Sequence, residues 1–483
     1  MLPIMREGLI PPTDSAPQTT ERRHLGGLTA LSALVLVAVV ALVTWLHFTG
    51  SRVADVPEPE HALAVVVGHS LDLDDGIDGA SAWERRLYQM LLGSRADDLA
   101  DALRWYEELE AESLAPTVDL HLAILEGEAG RSERLRRRLD EWDRRGEPFE
   151  TFGLLVGSAY LEITADGADV DDLVAEADAE LGPGWFRDRL VARLTRSEVP
   201  NPRAGVLLGR LRVLTAAEVA ILAAALVMLA SWARRRGERG RWGAATLPPP
   251  WRGRAGLGVL VQGGALGAVL LATMYLGASS LLGDPARPYL RVVVGMATNL
   301  AFLPVLLMAR RQLLRPSGID VAAGFGLVLT RANAGRLLRG ALVLIAAGQL
   351  GDWALGAAGR AFAVSSHWTE WFDRDLVWGS WPVVIVTLVD TVVLTPIFEE
   401  LVFRGLLFGT LRRRLGPAAA AAASAGVFAL AHGYGVLGFA AVFWSGLLWA
   451  WAYEWTGSLV PSIIAHAADN LSASLALILV LRA

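Results

Sequence analysis

The sequence contains no cysteine, and all 44 of its basic residues are arginine, since lysine is missing as well. Without cysteine there can be no disulfide, thiolate nucleophile or cysteine metal site, so any metal would have to be held by His, Asp and Glu. The missing lysine carries no chemistry of its own and fits a GC-biased genome. Charge is scarce too: 19% of the 483 residues are charged against 53% apolar, an excess that points to a membrane protein. The net charge of -6 conceals a division. Residues 51–212 hold 34 acidic residues and 19 arginines, or -15, and the rest of the chain holds 16 acidic residues and 25 arginines, or +9. Two environments are implied, and no nucleic-acid partner is expected.

The hydrophobic runs predict an all-α, polytopic membrane protein of about nine transmembrane helices. Residues 1–24 form a cytoplasmic N-terminal tail and 25–48 the first span. The apolar run is longer than a signal-peptide core of ~7–15 residues and no small-residue cleavage site follows it, so it reads as a retained anchor. Residues 51–212 mix groups such as Leu103, Trp105 and Tyr106 with many charges, as amphipathic helices of a water-facing domain require. Residues 213–337 hold spans two to four and 338–483 spans five to nine. Placing the N-terminus inside puts 19 arginines in cytoplasmic segments and 5 in the short outer ones. The acidic domain is then extracytoplasmic. Gly263 and Gly267 permit close helix packing in the third span. Trp368, Trp371, Trp378 and Trp381 read as an interfacial belt before the sixth.

Chemistry concentrates in the last hundred residues. The sixth span reads Thr395-Pro396-Ile397-Phe398-Glu399-Glu400-Leu401-Val402-Phe403-Arg404, and charge at that depth is expensive and usually functional. Glu400 and Arg404, four apart, can pair along one helix face. Glu399, turned about 100° away, remains available. Two further helices carry Phe428 with His432, and His466 with Asn470. Counting ~1.5 Å per residue from the hairpin at 412–417, Glu399 and His432 lie roughly 20 and 22 Å deep and should face each other.

At these segments the chain resembles the CAAX prenyl protease and bacteriocin-processing (CPBP) family of intramembrane glutamic endopeptidases, the type II CAAX protease-like proteins. That family's Glu-Glu-xxx-Arg, Phe-xxx-His and His-xxx-Asn pattern is present in order at Glu399-Glu400-Arg404, Phe428-His432 and His466-Asn470. The resemblance spans 250–483 and is tight from 382 to 482. It implies an endopeptidase in which Glu399 and His432 activate a water against a peptide carbonyl, His466 and Asn470 stabilise the oxyanion, and Glu400 and Arg404 support the site. A donor to such an oxyanion is worth ~3–4 kcal/mol. No cofactor is expected, and the partners are the bilayer and a membrane-associated peptide or protein substrate. The chain reads as prokaryotic and belongs in the plasma membrane, where prenylated substrates are not expected. Two other functions fit the residues. Two carboxylates and two histidines could hold zinc in a metalloprotease, although the two-histidine helical zinc signature is missing. A non-catalytic scaffold or immunity protein would instead bind a partner through the acidic domain.

Overall fold

The computed structural model describes residues 19–49, 52–53, 56–161, 163, 169–197, 200–234, 243–282 and 288–482. Most of the expected N-terminal tail, and Arg235, Arg236, Arg239 and Arg241 of the basic loop, lie outside them. Every regular element among the described residues is a helix, and the chain is an all-α, multi-pass membrane protein. Helix α1 is Thr19–Thr49. Eight helices of an inserted domain follow: α2 (Pro59–Asp78), α3 (Ala82–Leu91), α4 (Arg95–Glu110), α5 (Pro116–Glu128), α6 (Ser132–Trp142), α7 (Phe149–Tyr160), α8 (Val170–Glu180) and α9 (Trp185–Thr195). The bundle comprises α10 (Pro202–Arg234), α11 (Gly253–Leu282), α12 (Tyr289–Ser317), α13 (Ala334–Ala361), α14 (Trp381–Leu411), α15 (Pro417–Ala431), α16 (Val436–Thr456) and α17 (Val460–Leu481).

Seven helices, α10 to α14, α16 and α17, are long and apolar enough to cross a membrane. The other two of the nine expected runs are shorter: Gly26–Leu42 within α1, and α15. With 15 residues, α15 rises about 22 Å, less than the ~30 Å hydrocarbon core. Its far end therefore stops inside the bundle, at His432. Helix α10 begins at Pro202, earlier than the apolar run at 213, because its first turns are amphipathic and pack on α2. The two glycines of α11 do bring helices close. A Cβ at Gly263 would lie 2.4 Å from the Val305 Cα, and one at Gly267 2.2 Å from the Ala301 carbonyl.

Leu63, Leu71, Tyr106, Leu122 and Phe152 lie in the core of the inserted domain. The tryptophan-rich segment departs from its expected interfacial position. Trp368 is fully buried in that same core, and Trp378 stacks on His61 of α2. Trp371 and Trp381 stay exposed. The domain offers an apolar groove, and burying an indole there removes more apolar surface from water than an interface would. The domain is thus seated on the ends of α14 and α17. His69 Nδ1 donates to the Val480 carbonyl at 2.8 Å, Arg210 to the Leu479 carbonyl at 2.9 Å, and Arg482 to the Gly379 carbonyl at 2.7 Å.

Between α2 and α4 the domain buries a carboxyl pair. Burial raises Asp74 to about 8, with Asp98 beside it adding to the shift, and burial raises Asp98 to about 7, reinforced by Asp101 and Asp97. In the unfolded chain both titrate near ~4. The folded state therefore binds more protons between those values, and its stability falls as pH rises through that window. Thermal unfolding of the detergent-solubilised protein should show a lower Tm at pH 8.5 than at pH 5. Asp74→Asn should flatten this difference, and an undiminished slope would remove the pair as its source.

Candidate active site

The site is built around α14, whose sequence forces it out of regular winding. Pro396 has no N–H, and its ring crowds the carbonyl one turn back. The helix answers with a wide turn at Asp390–Leu394 and a second at Glu400–Phe408, the kind of insertion that often marks functional sites. In a wide turn the Pro396 N–H would have bonded the carbonyl five residues back, that of Thr391. That carbonyl instead accepts from Asn470 Nδ2 at 2.8 Å, which ties α17 to α14. Asn299 of α12 donates to Asp390 at 2.6 Å and to Thr395 at 3.3 Å, bracing the same turn from the other side.

Below the proline, Glu400 and Arg404 are completely buried and paired at 2.9 Å. The guanidinium lies 4.1 Å from the Phe428 ring centroid and 4.9 Å from that of Trp449. Arg404 Nε and Nη2, which make no hydrogen bond among the described residues, thus meet aromatic faces, whose quadrupoles attract a desolvated cation. Glu400 Oε1 also faces His466 Nδ1 at 3.1 Å. That oxygen accepts from Arg404, and His466 Nδ1 is the donor to it. The imidazole stacks on Trp449 with centroids 4.1 Å apart. Its Nε2 is thereby turned to within 3.6 Å of Glu399 Oε2.

Glu399 differs from its neighbour in having no arginine partner among the described residues. The Oε2 atoms of both glutamates are buried and make no hydrogen bond among the described residues. His432 stands where α15 ends. Gly433 adopts φ 67°, which glycine allows without strain, and releases the chain from the helix at that depth. The His432 Nδ1 is 2.8 Å from the Phe428 carbonyl. A carbonyl can only accept, so the proton is on Nδ1 and, in the neutral ring, Nε2 carries the lone pair.

Glu399, His432, His466 and Asn470 all line one cavity of about 860 Å³. Glu400 and Arg404 lie behind it. The structure thus brings together all six residues singled out from the sequence, four at the cavity and two in support. It also places there two residues that motif spacing did not reveal. Glu370 and Tyr434 line the same cavity, and Glu370 Oε1 accepts from the Gly435 N–H at 3.0 Å and pairs with Arg52 at 3.4 Å. An acid within the tryptophan-rich segment was the one available signal for Glu370. Trp449, on which His466 rests, had none. Ser70 of α2 joins the wall, so the inserted domain reaches the cavity. No group of three or more His, Asp or Glu side chains able to hold a metal ion occurs among the described residues.

The helical bundle thus gathers two carboxylates, two imidazoles and an amide at or behind one cavity. Residues 380–472 match the family model described as Rce1-like, type II CAAX prenyl endopeptidase Rce1-like. The match falls on helices α14 to α17, so this part of the chain is similar to that family of membrane proteases. The inserted domain and α10 to α13 lie outside the match. Neither a curated protein nor a solved structure matches the chain.

Proposed function

We propose that the protein is an intramembrane glutamic endopeptidase in which Glu399 is the general base. A water between Glu399 and the lone-pair nitrogen of His432 attacks the peptide carbonyl, and its proton passes to Glu399 and then to the departing amine. His466 Nε2 borders that position and, in the doubly protonated ring that keeps its Nδ1–H on Glu400, donates with Asn470 to the oxyanion. Glu400 fixes the His466 ring from behind, and Arg404 fixes Glu400. What carries this proposal is the contrast between the two adjacent glutamates: Glu400 is held by Arg404 and His466 through its Oε1 and lies off the cavity, while Glu399 has no arginine partner among the described residues and lines the cavity wall. The substrates are peptides or proteins associated with the plasma membrane of a prokaryote. The arginine distribution places the N-terminus in the cytoplasm and the inserted domain outside.

Comparing membrane peptides from cells carrying the wild-type chain or Glu399→Gln tests this directly, since cleavage products should disappear in the variant. A zinc mechanism would instead reveal itself as cleavage lost on chelation and restored by added zinc.

Glu370 holds the turn that carries His432, through Gly435. A displacement of about 1 Å at such a group lowers turnover by about 10- to 100-fold, so Glu370→Ala should reduce kcat by that factor with little change in KM. Glu370→Gln keeps an oxygen for the Gly435 N–H and should retain most of the rate. Equal rates in wild type and Glu370→Ala would rule the residue out.

A further inference from the structure

The arginine-rich end of the bundle has a second concavity. The ends of α10, α13 and α16 enclose a groove of about 210 Å³, with Met228, Leu229, Val343, Leu344 and Leu448 among its walls. Arg336 and Arg339, one turn apart on α13, lie at this groove, as do Trp451 and Trp455 of α16. Both tryptophans expose about half of their surface, 54% and 45%.

The two guanidiniums are notable for their partners. Arg336 donates to the Ala332 carbonyl at 3.2 Å and Arg339 to the Gly335 carbonyl at 2.9 Å, both within their own helix. Neither has a carboxylate partner among the described residues. The acid at this end of α16, Glu454, is already committed to Arg412, which reaches both its oxygens at 2.9 Å. Two cations with no carboxylate partner among the described residues thus border an apolar groove flanked by indoles. A free anion would answer the charges and leave the groove bare, and a zwitterionic lipid would bring its own cation to the arginines. Guanidiniums are suited to phosphate oxygens by their planar donor forks.

We propose that this groove is a binding site for an anionic phospholipid, with its phosphodiester on Arg336 and Arg339 and an acyl chain along Val343, Leu344 and Trp451. The groove and the active-site cavity share no lining residue.

The full-length protein, reconstituted in phosphatidylcholine vesicles, is titrated with phosphatidylglycerol or further phosphatidylcholine bearing brominated acyl chains. The fluorescence quenched in the wild type but not in Trp451→Phe/Trp455→Phe reports occupancy. Quenching by brominated phosphatidylglycerol should reach its midpoint at a mole fraction about 30-fold lower than for phosphatidylcholine, the factor that two arginines beside an anionic headgroup supply. Arg336→Gln/Arg339→Gln should abolish that preference, and the double lysine variant should keep part of it. Equal quenching by the two lipids in the wild type would overturn the proposal, and it needs no variant to fold. So would a preference that survives loss of both arginines. Displacement of the quencher by millimolar inorganic phosphate would show a simple anion site instead.

Discussion

Glu399→Gln should lower peptide cleavage by about 100- to 10,000-fold, the contribution of a positioned general base, while the protein keeps its fold. The substitution is isosteric, and the Oε2 it replaces has no hydrogen bond to lose among the described residues. Thermal unfolding in detergent should therefore be unchanged. Glu400→Gln provides the contrast. That carboxylate is bound to Arg404 and His466, so its loss should disturb stability and activity together. Cleavage by Glu399→Gln at more than about a tenth of the wild-type rate would remove Glu399 from the base role, given an effect of that expected size. A variant that is inactive because it is unfolded would be recognised by its Tm.

The second large effect is structural. Arg404→Met leaves Glu400 fully buried with only the His466 ring facing it, and stranding one member of a buried pair typically costs about 3–5 kcal/mol. The cation also loses its contacts with Phe428 and Trp449, which lie on two other helices, α15 and α16. Unfolding of the detergent-solubilised protein should register this as a clear fall in Tm. Glu400→Gln/Arg404→Met should recover much of the loss, because no charge is then left unpaired. A single variant as stable as the wild type would mean that water or a rearranged neighbour reaches Glu400 easily, and that the pair does not anchor His466.

These expectations differ in how visible they were from the chain alone. The Glu400–Arg404 pair was legible because both partners lie on one helix, where a four-residue separation determines proximity almost regardless of surroundings. The shared depth of Glu399 and His432 could be reckoned from helix rise across a hairpin. Their convergence with His466 and Asn470 could not, because it depends on how α17 crosses α14 and on the wide turns around Pro396. Glu370 was illegible for a similar reason. Its segment was read as interfacial from its tryptophans, and its burial is decided by a domain folded from residues far earlier in the chain.

The sequence by itself determined the membrane class, the charge asymmetry and the residue types of the site. All three follow from composition and from periodicities local to single helices. Only the tertiary structure decided which glutamate lines the cavity and which lies off it against Arg404 and His466, that His432 sits at a helix end inside the bundle, and that the inserted domain reaches the cavity wall. These depend on contacts between helices distant in sequence, where one side chain's hydrogen-bonding capacity is used up or left open by a neighbour that no local pattern identifies.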